Sequence, residues 1–210
     1  MKNLIKLTLA ILLLASCKDS PESSTSKNAG IVEGVMNEVS GKNEDVNAKY
    51  DHLLKKLSAK KSLTDEELLK AFPKKIGQLK IDTNGDNMGP KIIGGQLVAG
   101  TFGDGTVRME ILDAAGEKAT GAIIPLKMLH LNKVMSEMNN TIRYSKKERN
   151  GIFTFGTDRD ADTKSDYQAE LRFLYYNRFY VTLEGKAMDV DQLWSSLNSN
   201  DLSGFKAYNK

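Results

Sequence analysis

The clearest structural signal in the chain is AELRFLYYNRFYVTLEG, residues 169–185. Apolar side chains occupy every second position before and after the dipeptide Tyr176-Asn177, and mostly polar side chains lie between them. A β-strand presents successive side chains to opposite faces of its sheet, so a period of two indicates strands with one buried face. Residues 169–185 therefore predict two antiparallel strands that share one face of a hydrophobic core.

Further extended stretches lie upstream of this pair. Residues 96–102 and 106–112 flank the sequence Gly-Asp-Gly at 103–105, where glycine permits the positive φ of a tight hairpin. Residues 141–147 and 152–157 are extended as well. The sheet is thus predicted to contain about six strands.

Helices are predicted where apolar residues recur at intervals of three and four. The predicted helices cover residues 31–39, 45–61, 64–72, 124–138 and 189–197. Thr64 with Glu67, and Asp189 with Gln192, have the spacing of a capping box at a helix start.

One apolar stripe dominates the predicted helix over 124–138. Its members are Ile124, Met128, Leu131, Met135 and Met138. This spacing predicts a helix that lies on the sheet, with a proline at 125 tolerated in its first turn. Methionine fills irregular core gaps, so we interpret the stripe as core and not as a binding surface.

Helices segregated from hairpins indicate the α+β class. We expect a mainly antiparallel sheet of about six strands, covered by helices on one face, with a helical N-terminal segment. The sequence segments LLKAFP (68–73), GDG (103–105) and NRFYVTLEG (177–185) resemble segments of uncharacterised exported bacterial domains. Their shape resembles the PsbP/Mog1 class, and the resemblance spans residues 68–202. It implies a fold and assigns no catalytic residue.

The N-terminus has the pattern of an export signal. Lys2 and Lys6 precede the apolar stretch 7–15, which is shorter than the roughly 20 residues that cross a bilayer. The sequence Leu14-Ala15-Ser16-Cys17 resembles the lipobox of bacterial lipoproteins. This resemblance implies cleavage before Cys17 and attachment of lipid to its sulfur.

An ordinary secretory signal with a chance cysteine is the alternative. However, Cys17 directly follows the small pair and is the only cysteine in the chain, so it has no disulfide partner there. We interpret Cys17 as an anchor and not as a nucleophile, because two or three acyl chains hold a protein firmly on a membrane. The residue after Cys17 is Lys18 and not Asp. This resembles the enterobacterial sorting pattern that favours the outer over the inner membrane, and it does not assign a leaflet.

The predicted organisation has four parts. They are a lipoprotein signal peptide (1–16), a lipidated flexible tether (17–28), a helical segment (29–61) and an α+β domain (62–210). Loss of the signal peptide removes two lysines and lowers the formal charge from +3 to +1. A chain with so small a net charge has no overall positive potential to attract nucleic acid, which is therefore not an expected partner.

Signatures of the common enzyme classes are missing from the sequence. It has no Gly-x-Ser-x-Gly elbow, no Walker loop and no His-Glu-x-x-His motif. The two histidines, His52 and His130, are far apart and have no acidic residue or cysteine at ligand spacing. We interpret both as helix-surface or half-buried residues.

An acidic loop is the one candidate metal site. Asp158, Asp160 and Asp162 place carboxylates at positions 1, 3 and 5, as a calcium loop requires. Position 6 is Thr163 instead of glycine, and position 12 is Ala169 instead of glutamate. Weak calcium binding is thus a hypothesis, with a solvated turn as the alternative, and no other cofactor is expected.

Tyrosines cluster near the end of the chain and suggest a ligand site. Tyr176 and Tyr180, with Arg178 between them, are candidate ligand-binding residues because tyrosine offers a flat apolar face and a hydroxyl to a sugar or peptide. Cross-strand packing of the same side chains is the alternative.

The sequence favours a lipid-anchored cell-envelope protein whose domain has a non-catalytic role. Its expected partners are the membrane, through the lipid, and an envelope protein or small ligand. The alternative is an envelope enzyme whose carboxylates, such as Glu110, Asp113 or Glu184, meet only in three dimensions. A structural spacer, with neither pocket nor patch, is a third interpretation.

Overall fold

The computed structural model describes residues 46–84, 89–131, 141–161 and 165–209. The helices of this part of the chain are α1 (Val46–Ser58), α2 (Asp65–Ala71), α3 (Ala119–Leu131), α4 (Val190–Ser196) and α5 (Ser203–Lys206). The strands are β1 (Lys75–Ile76), β2 (Leu79–Lys80), β3 (Lys91–Gly94), β4 (Leu97–Phe102), β5 (Val107–Asp113), β6 (Ile142–Arg149), β7 (Ile152–Arg159), β8 (Ala169–Tyr175) and β9 (Phe179–Gly185). The predicted α+β fold is confirmed, whereas Cys17 and the predicted helix over 31–39 lie outside the described residues.

The main sheet is antiparallel and has seven strands in the order β3-β4-β5-β9-β8-β7-β6. The chain leaves β5 at the centre, crosses to the edge strand β6, and returns through hairpins until β9 pairs with β5. The sequence predicted about six strands and missed β3. This strand is only four residues long and has an irregular register between Ile92 and Gly94, so it has no alternating pattern to detect.

The predicted hairpins have the turn geometry that their residues suggest. Tyr175 pairs with Phe179 across the last turn, where Tyr176 and Asn177 both have φ of 52°. Two consecutive positive φ angles match the twist of paired strands. At the earlier turn, residues 103–105 all have positive φ.

One face of the sheet carries the main core. The side chains that point to it from the three central strands are Val107, Met109, Ile111, Ala169, Leu171, Phe173, Tyr175, Phe179, Val181 and Leu183. Helices α2, α4 and α5 cover this first face, with Phe205 of α5 at 4.9 Å from Phe179 between ring centroids. The alternation seen in the sequence thus corresponds to real burial.

Two helix starts are confirmed in detail. The Thr64 hydroxyl accepts a hydrogen bond from the Glu67 amide, and the Glu67 carboxylate accepts one from the Thr64 amide. Asp189 and Gln192 make the same reciprocal pair at the start of α4. Each pair satisfies two amide donors that the first helical turn leaves free.

The expectation that helices cover only one face of the sheet is wrong. Helices α1 and α3 pack on part of the second face, against Leu112, Phe155, Leu174 and Tyr180. Along β5, β9, β8 and β7, the positions of the second face are apolar at one end and polar or charged at the other. Averaged along a strand, the side chains at these positions are polar, which is why the sequence pattern predicted that this face is exposed to solvent.

The predicted orientation of α3 is also wrong. Ile124, Met128 and Leu131 are exposed, and the residues that α3 buries include Ala122 and Leu126. Nearly all of α3 is apolar, so the spacing of its larger residues could not identify the side that is buried. The buried side includes small alanines, which let the helix approach the sheet closely. Helix α3 begins at Ala119, so the proline at 125 lies in the interior of the helix instead of its first turn. The other two members of the predicted stripe, Met135 and Met138, lie outside the described residues.

Helices α1 and α3 run antiparallel on the second face. The hydroxyl of Tyr50 lies 3.2 Å from Nδ1 of His130, and the ammonium of Lys127 lies 2.7 Å from the Asp51 carboxylate. The residues that follow α1 approach Gly116, just before α3. The start of α1 therefore lies beside the end of α3.

His130 at this contact is half-buried. Its ring stacks on Phe153 at 4.6 Å between centroids. Burial lowers the pKa of His130, and the nearby ammonium groups of Lys146 and Lys49 lower it further. The neutral imidazole is therefore the form that fits between α1 and the sheet.

We predict that the free energy of unfolding falls as the pH drops below about 6.5, the ordinary pKa of histidine. The unfolded chain then binds a proton that folded His130 resists, so stability present above this pH is lost below it. Urea denaturation between about pH 7.5 and 5.5 should show a smaller pH dependence for His130→Phe than for the wild type. His52→Phe, at an exposed position of α1, is the control, and an unchanged slope in His130→Phe would contradict the prediction.

Candidate functional site

Charged side chains occupy the part of the second sheet face that α1 and α3 leave open. They come from four adjacent strands, β5, β9, β8 and β7, and we call them the charged face: Arg108, Glu110, Arg159, Glu170, Arg172 and Glu184. Pairing of the strands brings them together, since Arg108 lies opposite Glu184, and Glu184 lies opposite Glu170. Three arginines and three glutamates give the charged face no net charge.

Arg108 connects two of the carboxylates. Its Nη1 donates a hydrogen bond of 3.0 Å to Glu184, and its Nη2 donates another to Glu110. Partial burial raises the pKa of Glu184, Arg108 opposes this rise, and Glu170 and Glu110 add to it. The guanidinium of Arg108 is partly exposed, so it remains within reach of a ligand.

Glu170 is the buried centre of the other half of the charged face. Nη2 of Arg159 donates a hydrogen bond of 2.5 Å to its Oε2, and the Arg172 guanidinium contacts its Oε1. Two cations thus hold one buried carboxylate, and this half carries a local positive charge. Arg172 is more exposed than Arg159 and faces solvent at the border with α3.

An open cavity of about 480 Å³ lies at that border. Its lining combines Arg172 with the side chains of Pro125, Met128, Leu129 and Leu131. The charged face therefore has an apolar wall on the side of α3. Such an arrangement suits recognition of a ligand, because charged side chains in fixed positions can orient the polar groups of the ligand.

The predicted ligand-binding residues do not form one surface. Tyr180 points to the second face, where burial raises the pKa of its hydroxyl. Tyr176 instead packs against the core of the first face, with its ring 4.5 Å from Tyr175 between centroids. Arg178 is buried and paired with Asp113, and the two tyrosines belong to the cores of opposite sheet faces, so the three side chains do not form one exposed surface.

Arg178 forms a buried ion pair with Asp113. Nε and Nη2 of Arg178 lie 2.7 and 2.9 Å from the two carboxylate oxygens, which also accept the amides of Leu63 and Ala115. Arg178 also donates two hydrogen bonds to backbone carbonyls. Its Nη2 reaches the carbonyl of Lys61, in the linker after α1, and its Nη1 reaches the carbonyl of Tyr208, near the C-terminal end of the described chain. Nothing in the sequence pattern joins positions 113 and 178, and both carboxylate oxygens of Asp113 are engaged by this pair and by backbone amides.

The acidic loop is engaged with protein groups where it is described. Asp158 accepts the amide of Val190 at 2.8 Å, and Asp160 pairs with Arg143 at 2.8 Å, while Asp162 lies outside the described residues. Within the described part of the chain, no group of three or more metal-ligating side chains comes together. Calcium binding stays a prediction.

Comparisons with protein-family models, curated proteins and solved structures found no match for this chain. The resemblances to the lipobox and to the PsbP/Mog1 class therefore stay predictions. None of the helices between residues 46 and 209 that the structure describes has the length and apolar character needed to span a bilayer.

We predict that Asp113→Asn lowers the free energy of unfolding by about 3–5 kcal/mol, because it leaves the Arg178 guanidinium buried without its counter-charge. Urea denaturation measures the loss. Asp160→Asn is the matched control, since its pair with Arg143 is exposed and such pairs contribute roughly 0.2–1 kcal/mol. Equal losses in the two variants would contradict the structural role of the buried pair.

Proposed function

We propose that this protein is a lipid-anchored component of the bacterial cell envelope and that its α+β domain binds a ligand or partner without catalysis. The lipid is attached at Cys17, the first residue after the predicted cleavage site. The resemblance of residues 14–17 to a lipobox supports the anchor, and Lys18 favours the outer membrane.

The charged face is the observation that supports a binding role. Its charges are held in place by ion pairs, so a ligand meets preorganised donors and acceptors. Arg108 and Arg172 are its most exposed cations, and each lies beside a carboxylate. This alternation of signs fits a ligand with both positive and negative groups, such as a peptide segment of an envelope protein or a small zwitterion.

Catalysis by carboxylates is the second candidate. It is favoured by the raised pKa of Glu184, which lies close to Arg108 and Glu110. A carboxyl group with a raised pKa holds its proton more readily and can act as a general acid. The site would then turn over its ligand instead of retaining it.

The anchor makes a direct prediction. Cells that express the full chain and grow with labelled palmitate should label the wild type and not Cys17→Ser. The variant should also be held less firmly in the membrane fraction, because without acyl chains it has no covalent attachment to lipid. Ser16→Ala keeps a small residue before the cysteine and should still be labelled, whereas a wild-type chain with a free thiol or with residues 1–16 retained would refute the anchor.

The binding role predicts a loss that is confined to the charged face. In quantitative cross-linking on native membranes, the double variant Arg108→Ala/Arg172→Ala should recover the partner or ligand about tenfold less than the wild type, the effect of roughly 1.4 kcal/mol. Arg143→Ala removes an arginine that is exposed on edge strand β6 and should recover it normally.

Equal recovery in the double variant and the wild type would contradict binding at the charged face. A chemically altered ligand, produced by the wild type and not by Glu184→Gln, would favour the enzymatic candidate instead.

A further inference from the structure

Helix α3 presents an apolar surface to solvent. Ile124, Met128 and Leu131 are 47%, 63% and 38% exposed and lie on the side that faces away from the sheet. Their spacing places them on one face of the helix. Exposed apolar side chains in a contiguous group mark a surface that meets a partner of low polarity.

The composition of α3 sets it apart from an ordinary surface helix. Between residues 119 and 131 the titratable side chains are Lys127 and His130, with no acidic residue. Lys127 turns towards Asp51 of α1, and His130 packs on Phe153. A surface helix normally carries polar residues on its outer side, whereas the outer side of α3 is apolar.

We propose that this face of α3 lies in the interfacial region of an anionic lipid bilayer, the membrane that holds the lipid of Cys17. This inference rests on the proposed anchor. The anchored chain reaches the domain at Val46, the start of α1, which lies beside the end of α3. Whatever course residues 18–45 take, the apolar face is next to the point at which they join the domain.

The charges around α3 favour an anionic surface. Lys127 pairs with Asp51, Arg172 with Glu170, and Lys146 donates to the His130 carbonyl at the end of α3, so these five charged groups have a net charge of +1. Anionic head groups attract such basic residues. The 13 described residues of α3 are fewer than the roughly 20 that cross a bilayer, and they pack against α1 and the sheet, so in this proposal α3 lies along the surface with its apolar side towards the acyl chains.

The test places an environment-sensitive fluorophore on the apolar face. Cys17 is the only cysteine of the chain and its sulfur carries lipid in the anchored protein, so Met128→Cys supplies a single free thiol. Leu69→Cys is the control, since Leu69 is 38% exposed on α2 across the sheet. The anchored protein is reconstituted into vesicles of phosphatidylethanolamine and phosphatidylglycerol, and the full-length Cys17→Ser forms of both variants are mixed with the same vesicles.

The emission at position 128 should shift to the blue and be quenched by spin-labelled lipid, whereas position 69 should report water. Adding Ile124→Asp to the Cys17→Ser form should weaken its vesicle binding at least about tenfold, because a charge replaces an apolar side chain that the proposal places among the acyl chains. Phosphatidylcholine vesicles should bind this form more weakly than anionic ones.

Four outcomes decide the matter. An aqueous signal at position 128 in both the anchored and the unanchored protein overturns the inference and leaves the anchor standing. A blue shift without vesicles that grows with protein concentration also overturns it, in favour of a second copy on α3. A wild-type chain without lipid, together with a vesicle-dependent shift in the Cys17→Ser form, refutes the anchor and supports membrane contact by α3. A shift confined to position 128 in both forms supports both proposals.

Discussion

The buried pair of Asp113 and Arg178 holds together parts of the chain that are far apart in sequence. Asp113 is 0% exposed and Arg178 is 3% exposed, so neither charge is solvated by water. Asp113 ends β5, and Arg178 is the last residue of the turn between β8 and β9. Their remaining hydrogen bonds fasten the linker from α1 to α2 and the carbonyl of Tyr208. A buried pair of this kind is stable only when every donor and acceptor is used, which restricts how these segments pack.

The two faces of the sheet have different roles because their helices cover them to different extents. On the three central strands, the first face is core beneath α2, α4 and α5. The second face is core only where α1 and α3 cover it, and its open part carries the charged face. Arg172 lies where the charged face meets the apolar surface of α3.

Part of the candidate site was predictable from sequence. Glu110 and Glu184 were named as carboxylates that meet only in three dimensions, and the structure brings both to Arg108. Glu170 and its two arginines were missed, because a glutamate in an alternating strand looks like an ordinary solvent-facing residue. Only the pairing of β8 with β7 and β9 shows that Glu170 is enclosed. Arg178 was interpreted as a ligand residue because it stands between Tyr176 and Tyr180 in the sequence, whereas the structure buries it against Asp113.

The sequence by itself determined the features that depend on near neighbours. The alternation over residues 169–185, the glycine turn at 103–105 and the capping boxes at Thr64 and Asp189 involve groups a few positions apart, and their local energetics are the same in any fold. Tertiary structure alone decided which side of α3 is buried, that α1 and α3 share the second face, and that Asp113 meets Arg178. These outcomes depend on contacts between segments separated by tens of residues, and an apolar helix offers no local preference for one side over another.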